Sequence, residues 1–442
     1  MRPNYQIKFS LILFLIFMLV GATFLHAGNV TFKVRSSVFK IDQGPDGFDS
    51  IEMEGFYNTS SPGDPVLPYN IYNIALPPDV DWSSVKVTSV RISSEHLAGI
   101  YSIRPGAPDM AWNGSEYVYH WGQGKNIAGG KNINIYETNA LFPEEEASIL
   151  TPSQMRKWKF TKVIYYPFLY NPVTGELTLI READITVKFL RTGEKPSRTV
   201  MADSVFDYVA QDLFLNFSSA MEWYGGSSTE DLNGAQYDYV IITTNAIVTN
   251  STKLNAFITH KQSYGYNVKV VTETDFGALT GQAPNHKAEK IRQWLINNYA
   301  SMGIEYVLLI GNPIPYENGE GDIPMKMCYP RVVENDYPES PTDYFYADLT
   351  GNWNKDGDAY YGEFLDDYYS VTGGVDLTAE VYVGRIPLYS GAYSTLDNIL
   401  QKIINYETQY SIVWRKSALL PMSFSSTTYD GAPLAEQMMD DY

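Results

Sequence analysis

YVLLIG, Tyr306–Gly311, is an apolar run with no polar alternation before its closing glycine. A strand with one wet face alternates; a strand buried on both faces does not. The residues around it repeat the pattern. Upstream, Ile291, Trp294 and Leu295 share one helical face, and Gly303 stands just past the helix end. Val268–Val271 and Tyr239-Val240-Ile241-Ile242 are two more short apolar strands. Between them Leu254, Phe257 and Ile258 mark a helix that Asn250 or Ser251 can cap and Gly265 can end. Downstream, Val381-Tyr382-Val383-Gly384 resumes the sheet, and Leu396, Ile399, Leu400 and Ile403 mark another amphipathic helix. Ala418-Leu419-Leu420 starts a further strand, and Leu434–Tyr442 reads as a helix in mid-course. Apolar strands alternating with amphipathic helices predict an α/β domain, a parallel sheet flanked by helices, over 237–442.

Residues 28–191 read differently. Val85-Lys86-Val87, Val90-Arg91-Ile92 and Ile185-Thr186-Val187-Lys188-Phe189 alternate. Turn signals such as Pro62-Gly63-Asp64, Asn113-Gly114 and Thr174-Gly175 punctuate them. That predicts a β-rich antiparallel sandwich or barrel. Residues 192–236 have weak periodicity and carry Gly193, Pro196 and Gly225-Gly226, so the expectation is an exposed connection. Arg191, Lys195 and Arg198, in or beside it, are candidate cleavage points.

Residues 1–27 have a basic start (Arg2, Lys8), an apolar run Phe9–Leu25 and a small-residue site at Ala27. They read as a secretory signal peptide; the alternative is an uncleaved anchor. No later segment is apolar and long enough to span a membrane, so the expectation is a secreted, extracellular or cell-surface protein. The 442 residues carry a net charge of −19, with no basic segment to hold nucleic acid. There is one cysteine, Cys328, which excludes an internal disulfide.

Between the YVLLIG strand and Glu380 lies a long aperiodic insertion, 312–379, and within it Asn352–Glu363 reads NWNKDGDAYYGE. Asn352, Asn354, Asp356 and Asp358 fall at positions one, three, five and seven, Gly357 at six and Glu363 at twelve. This is the oxygen-ligand spacing of an EF-hand-type calcium loop, without evident flanking helices. A solvated Asn/Asp/Gly turn has the same composition. Bound Ca2+ would give so long an insertion a reason to be ordered.

Catalytic motifs are absent. Nothing in the sequence orients His96, His120, His260 or His286 toward Cys328, which reads as a small buried residue. There is no Gly-x-Ser-x-Gly, His-Glu-x-x-His or phosphate loop.

The second half resembles the gingipain-type cysteine peptidases. Asp238–Thr244, Lys261 with Gly265–Val268, Ile291-Arg292 leading to Tyr306–Gly311, Pro341–Leu349, Glu380–Pro387 and Lys402–Glu407 carry the likeness, in order. Gly63–Pro68 and Tyr166-Pro167 through Leu177 resemble that family's propeptide. The resemblance implies a caspase-like fold, supporting calcium ions, a protein or peptide substrate and a propeptide acting as intramolecular inhibitor. It implies a cysteine nucleophile with a histidine base, on a Gly-His-Gly and a later cysteine that these residues lack. The expectation is therefore an endopeptidase zymogen whose dyad lies beyond Tyr442, the domain over 237–442 being incomplete. The alternative is a non-catalytic secreted calcium-binding protein on the same scaffold. Asn312 stands where the family often has aspartate. Asp343 and Glu380 match family carboxylates and join the candidate metal residues, either as ligands or as structural partners of a turn and of Arg385.

Overall fold

The computed structural model describes residues 26–409 apart from 113–116, 123, 195, 226–235, 331–338, 365, 369–372 and 390, and beyond these only 417 and 436. Most of the proposed signal segment, Lys195, the strand at 418–420 and the helix at 434–442 lie outside the described residues. Within these bounds no helix is long and apolar enough to cross a membrane.

The β-rich part is built on a long strand, Glu176–Arg191, paired antiparallel with His26–Arg35, Val80–His96 and Phe168–Asn171. A second antiparallel sheet runs in the order Ala147–Met155, Trp158–Tyr165, Pro68–Leu76, Tyr57–Asn58. Alternation decides what is buried: Ile185, Val187 and Phe189 point into a core with Ile74, Leu76, Val163 and Tyr165 from the second sheet. Two sheets sharing one core make a sandwich.

Residues 192–236 depart from the expected exposed connection. They hold short helices at Arg198–Ala202, Asp207–Leu213 and Phe217–Tyr224. Phe206, Ala210, Phe214, Ala220 and Tyr224 are buried with Ala75, Met155, Trp158 and Phe160 of the second sheet. The Trp158 and Tyr224 rings lie 4.3 Å apart. Helices of five, seven and eight residues are too short to print a clear 3.6-residue period, which is why the sequence hides them. Arg191 ends the long strand and pairs with Asp79, while Arg198 is exposed at the first helix.

The α/β part has a four-stranded parallel sheet in the order Val268–Val271, Tyr239–Ile242, Tyr306–Gly311, Tyr382–Pro387. Val240, Ile242, Val307 and Leu309 are buried in one core with Ile291, Trp294, Leu295 and Tyr299 of helix Lys287–Met302. Gly303 ends that helix in the left-handed conformation, φ 69°. The insertion adds Phe345, Tyr346, Leu349 and Trp353 to the same core, although among its described residues it has one short strand pair, Lys326–Cys328 with Ser340–Thr342.

Residues 246–266 and those from 388 onward form a separate compact unit. In it, Asp397 of helix Tyr393–Thr408 accepts hydrogen bonds from Ser251 Oγ, Thr252 N–H and Oγ1 and Lys253 N–H, capping helix Leu254–Ser263. Glu407 accepts from His260 Nε2 at 2.7 Å and Lys261 Nζ at 2.6 Å.

Candidate functional site

The loop Asn352–Glu363 turns at Gly357, whose φ of +85° only glycine adopts without strain. Asn354 shapes the turn: its Oδ1 accepts from Gly357 N–H and its Nδ2 donates to Asp358 O, both at 2.8 Å. Asp356 and Asp358 are exposed, Glu363 is 2% exposed, and a carboxylate oxygen of each lies within 4.8 Å of the others. Glu363 Oε2 is buried with no hydrogen-bond partner in the structure. Its burial, with the charges of Asp358, Asp356, Asp367 and Asp366, pushes the Glu363 carboxyl up to about 7. Three carboxylates in one place, one buried and unpaired, form an arrangement that a hard cation would relieve.

The other predicted ligands divide. Asn352 is in the loop, but its Oδ1 accepts from Gln282 Nε2 at 2.6 Å and from Asn354 N–H at 3.1 Å. Asp343 is not brought to the cluster. It takes both arms of Arg385 at 2.7 Å, a fork that matches a carboxylate. Glu380 is fully buried two residues before the Tyr382–Pro387 strand, accepting from Leu349 N–H at 2.6 Å, Thr350 Oγ1 at 3.1 Å and Arg156 N–H at 3.4 Å. Arg385 goes to Asp343, and Glu380 meets Arg156 of the β-rich part instead. Asn312 Oδ1 accepts from Ile314 N–H.

Two carboxylates that the spacing argument missed organise the loop. Asp367, fully buried, accepts from Lys355 N–H, from Gly362 N–H at 2.7 Å and from Glu363 N–H at 3.3 Å, tying the two limbs together. Asp348, also fully buried, accepts from Gly351 N–H (2.7 Å), Trp353 Nε1 (2.9 Å) and Asp376 N–H (3.1 Å). Gly351 is required there, because a Cβ would stand 2.4 Å from Asp348 Oδ2. Both aspartates lie outside the twelve-residue window, so the calcium spacing gives no cue to them.

Cys328 is buried, and its thiol donates to Ser340 O at 2.9 Å. Burial pushes it up to about 11, away from the thiolate. His96 bonds Thr178, His260 bonds Glu407, and His286 stacks on Tyr316 with ring centroids 3.5 Å apart.

Residues 233–440 match the model of Peptidase family C25, and residues 27–222 match that of its propeptide, Propeptide_C25. The chain belongs to peptidase family C25. Two solved structures from Porphyromonas gingivalis are similar to it. The complex of RgpB pro- and mature domains is 21% identical, over 43% of this chain and 93% of that one, with a TM-score of 0.32. The structure on zymogenic latency of gingipain K is 16% identical, over 37% and 98%, with a TM-score of 0.27. No curated protein matches.

The C25 propeptide match takes in the first two helices of 198–224 and most of the third. The propeptide region meets the C25 peptidase region through the turn between Ala147–Met155 and Trp158–Tyr165. Gln154 N–H donates to Asp376 Oδ2 at 2.5 Å. Arg156, 1% exposed and at φ 53°, is bonded through its guanidinium to Asp203, Tyr299 O, Ile304 O and Glu380 O.

Proposed function

We propose that this chain is the propeptide and amino-terminal peptidase region of a secreted, calcium-binding cysteine endopeptidase zymogen, with a caspase-like catalytic domain. The order of the two family matches, propeptide over 27–222 and peptidase over 233–440, carries the reading. The expected substrates are proteins or peptides, and the propeptide is the expected intramolecular inhibitor. Secretion rests on the basic start and apolar run of residues 1–27.

Cys328 is not assigned as nucleophile. A thiol held near pKa 11 that donates to a backbone carbonyl has neither a base nor an open face. Among the described residues no imidazole or thiolate is assigned to catalysis. The 442-residue chain is expected to show no thiol-dependent hydrolysis of a mixed peptide substrate. Cleavage that disappears on Cys328→Ala would overturn this assignment.

Ca2+ fits the loop. Asp356, Asp358 and Glu363 would hold it, with Asn352 and Asn354 completing the oxygen set, and the unpaired Glu363 Oε2 supports this most directly. The ion would neutralise three crowded carboxylates and fasten the loop. Asp343 and Glu380 are structural in this reading. The same loop serves the second reading, a non-catalytic secreted calcium-binding protein. Terbium luminescence, sensitised by the nearby Trp353 and Tyr360, tests the ion directly. Emission displaced by Ca2+ and lost in Asp356→Ala is expected; no emission at millimolar terbium would sink the calcium reading.

A further inference from the structure

The calcium-type loop and the propeptide turn are linked by one short stretch of the peptidase region, Gly373–Glu380. At the loop end, Asn352 N–H donates to Gly373 O at 3.2 Å, and Val375 N–H donates to Asp367 O at 2.8 Å. Asp367 is the same residue whose carboxylate closes the two limbs of the loop. Asp348 adds a second link, because its Oδ2 accepts from both Trp353 Nε1 and Asp376 N–H. At the other end, Asp376 Oδ2 accepts from Gln154 N–H. Glu380 accepts from Arg156 N–H through Oε1 at 3.4 Å and from its guanidinium through the backbone carbonyl at 2.7 Å. A cavity of about 70 Å3 lies along this contact, lined by Trp82, Pro152 and Gln154 on one side and Thr350, Gly351 and Asp376 on the other.

We propose that a cation held by Asp356, Asp358 and Glu363 fastens Gly373–Glu380, so that calcium tightens the hold of the peptidase region on the propeptide turn. The inference rests on the calcium reading above. Its physical basis is shared hydrogen bonding. Without an ion, the repulsion among three carboxylates favours loop conformers that spread them apart. Such conformers pull on Asn352 and Asp367, which also hold Gly373 and Val375. An ion that binds the compact loop shifts the population toward the conformer in which Gly373–Glu380 presents its acceptors to Gln154 and Arg156. The coupling is reciprocal: a docked propeptide raises the affinity of the loop for calcium by the same factor. Calcium is thus a lock on the domain contact of the zymogen as well as a support for one loop.

The test is hydrogen–deuterium exchange on the full chain, with and without calcium, alongside terbium binding to the same preparation. Calcium is expected to slow exchange at the Gln154 and Arg156 amides by about tenfold, within the usual range of coupling between sites. The amides of Ile185 and Val187, in the sandwich, serve as internal reference and are expected to change little. Asp356→Ala, at an exposed position that leaves the fold intact, is expected to abolish the slowing, and Glu363→Gln to reduce it. If terbium binds and calcium displaces it, yet Gln154 and Arg156 exchange at unchanged rates, the lock is wrong and the calcium site stands. If terbium does not bind, the calcium reading falls and the lock falls with it.

Discussion

The β-sandwich and the insertion 312–379 bury their polar groups in opposite ways. In the sandwich the backbone is satisfied by ladders, and side chains have only to alternate: Ile185, Val187 and Phe189 inward, Lys188 outward. Among the described residues of the insertion there is almost no ladder, and buried carboxylates replace it. Asp348, Asp367 and Glu380 are each fully buried and each accept from two or more N–H or O–H donors. A carboxylate offers several acceptor positions, so one side chain can gather a whole turn of loose backbone. The difference predicts that the sandwich tolerates conservative changes while the insertion and its contacts are sensitive to single charges.

The largest effect is expected at Arg156. Its guanidinium makes a 2.7 Å ion pair with Asp203, both about 1% exposed, and it also holds three backbone carbonyls. Arg156→Met keeps much of the volume and leaves Asp203 buried without its partner, a loss of about 3–5 kcal/mol. Chemical denaturation of the variant measures it. A cost below about 1 kcal/mol would show that the contact between the two regions is no more sensitive than the sandwich surface.

Calcium comes next. A ligand at a hundred times its dissociation constant stabilises the native state by about 2.7 kcal/mol. The melting temperature is expected to rise by several degrees in millimolar calcium and not to rise in Asp356→Ala. An unchanged melting curve in the unmodified chain would place the insertion's order in Asp348 and Asp367 alone.

These contrasts also explain what the sequence shows and what it hides. YVLLIG and its neighbours are legible because burial on both faces leaves an apolar run, and the sandwich because one-sided burial leaves alternation. The loop at 352–363 is legible as a calcium-type candidate because its oxygen spacing is local. The helices at 198–224 are hidden by their shortness. Asp367 and Asp348 are hidden because their partners are backbone amides, which carry no sequence signal. Arg156 is hidden for the same reason, with its acceptors at 299, 304 and 380 far along the chain. Asp343 and Glu380 are visible as carboxylates, yet only the fold decides that one receives Arg385 and the other Arg156.

Asp376 allows the comparison to be made by pH. Burial first, then the neighbouring charge of Asp348, raises its carboxyl to about 6 against the hydrogen bonds from Gln154 and Thr378. A carboxyl raised in the folded state binds more protons there than when unfolded. Its contribution is therefore most favourable below pH 4 and is lost as pH rises through 6. Asp376→Asn removes the charge and should raise stability by about 2 kcal/mol at pH 8 and by almost nothing at pH 4. Equal effects at both pH values would mean that the charge carries no penalty.

Asp397, in the separate helical unit, should show the opposite sign and the smallest effect. Burial works against its charge, but the hydrogen bonds from Ser251, Thr252 and Lys253 outweigh it and bring the carboxyl down to about 2. A carboxyl lowered in the folded state stabilises above the unfolded value near 4, and that contribution is lost as pH falls through 2. Asp397→Ala removes a cap from helix Leu254–Ser263 and should cost about 1 kcal/mol at neutral pH. The cost should shrink toward pH 2, where the wild-type carboxyl is itself half protonated. The two aspartates thus titrate in opposite directions: burial prevails at Asp376, which keeps a buried oxygen without a donor, whereas at Asp397 both oxygens meet donors and these outweigh burial. If Asp397→Ala and Asp376→Asn change stability with the same pH dependence, the balance of burial against donors at each carboxylate is not what sets its charge.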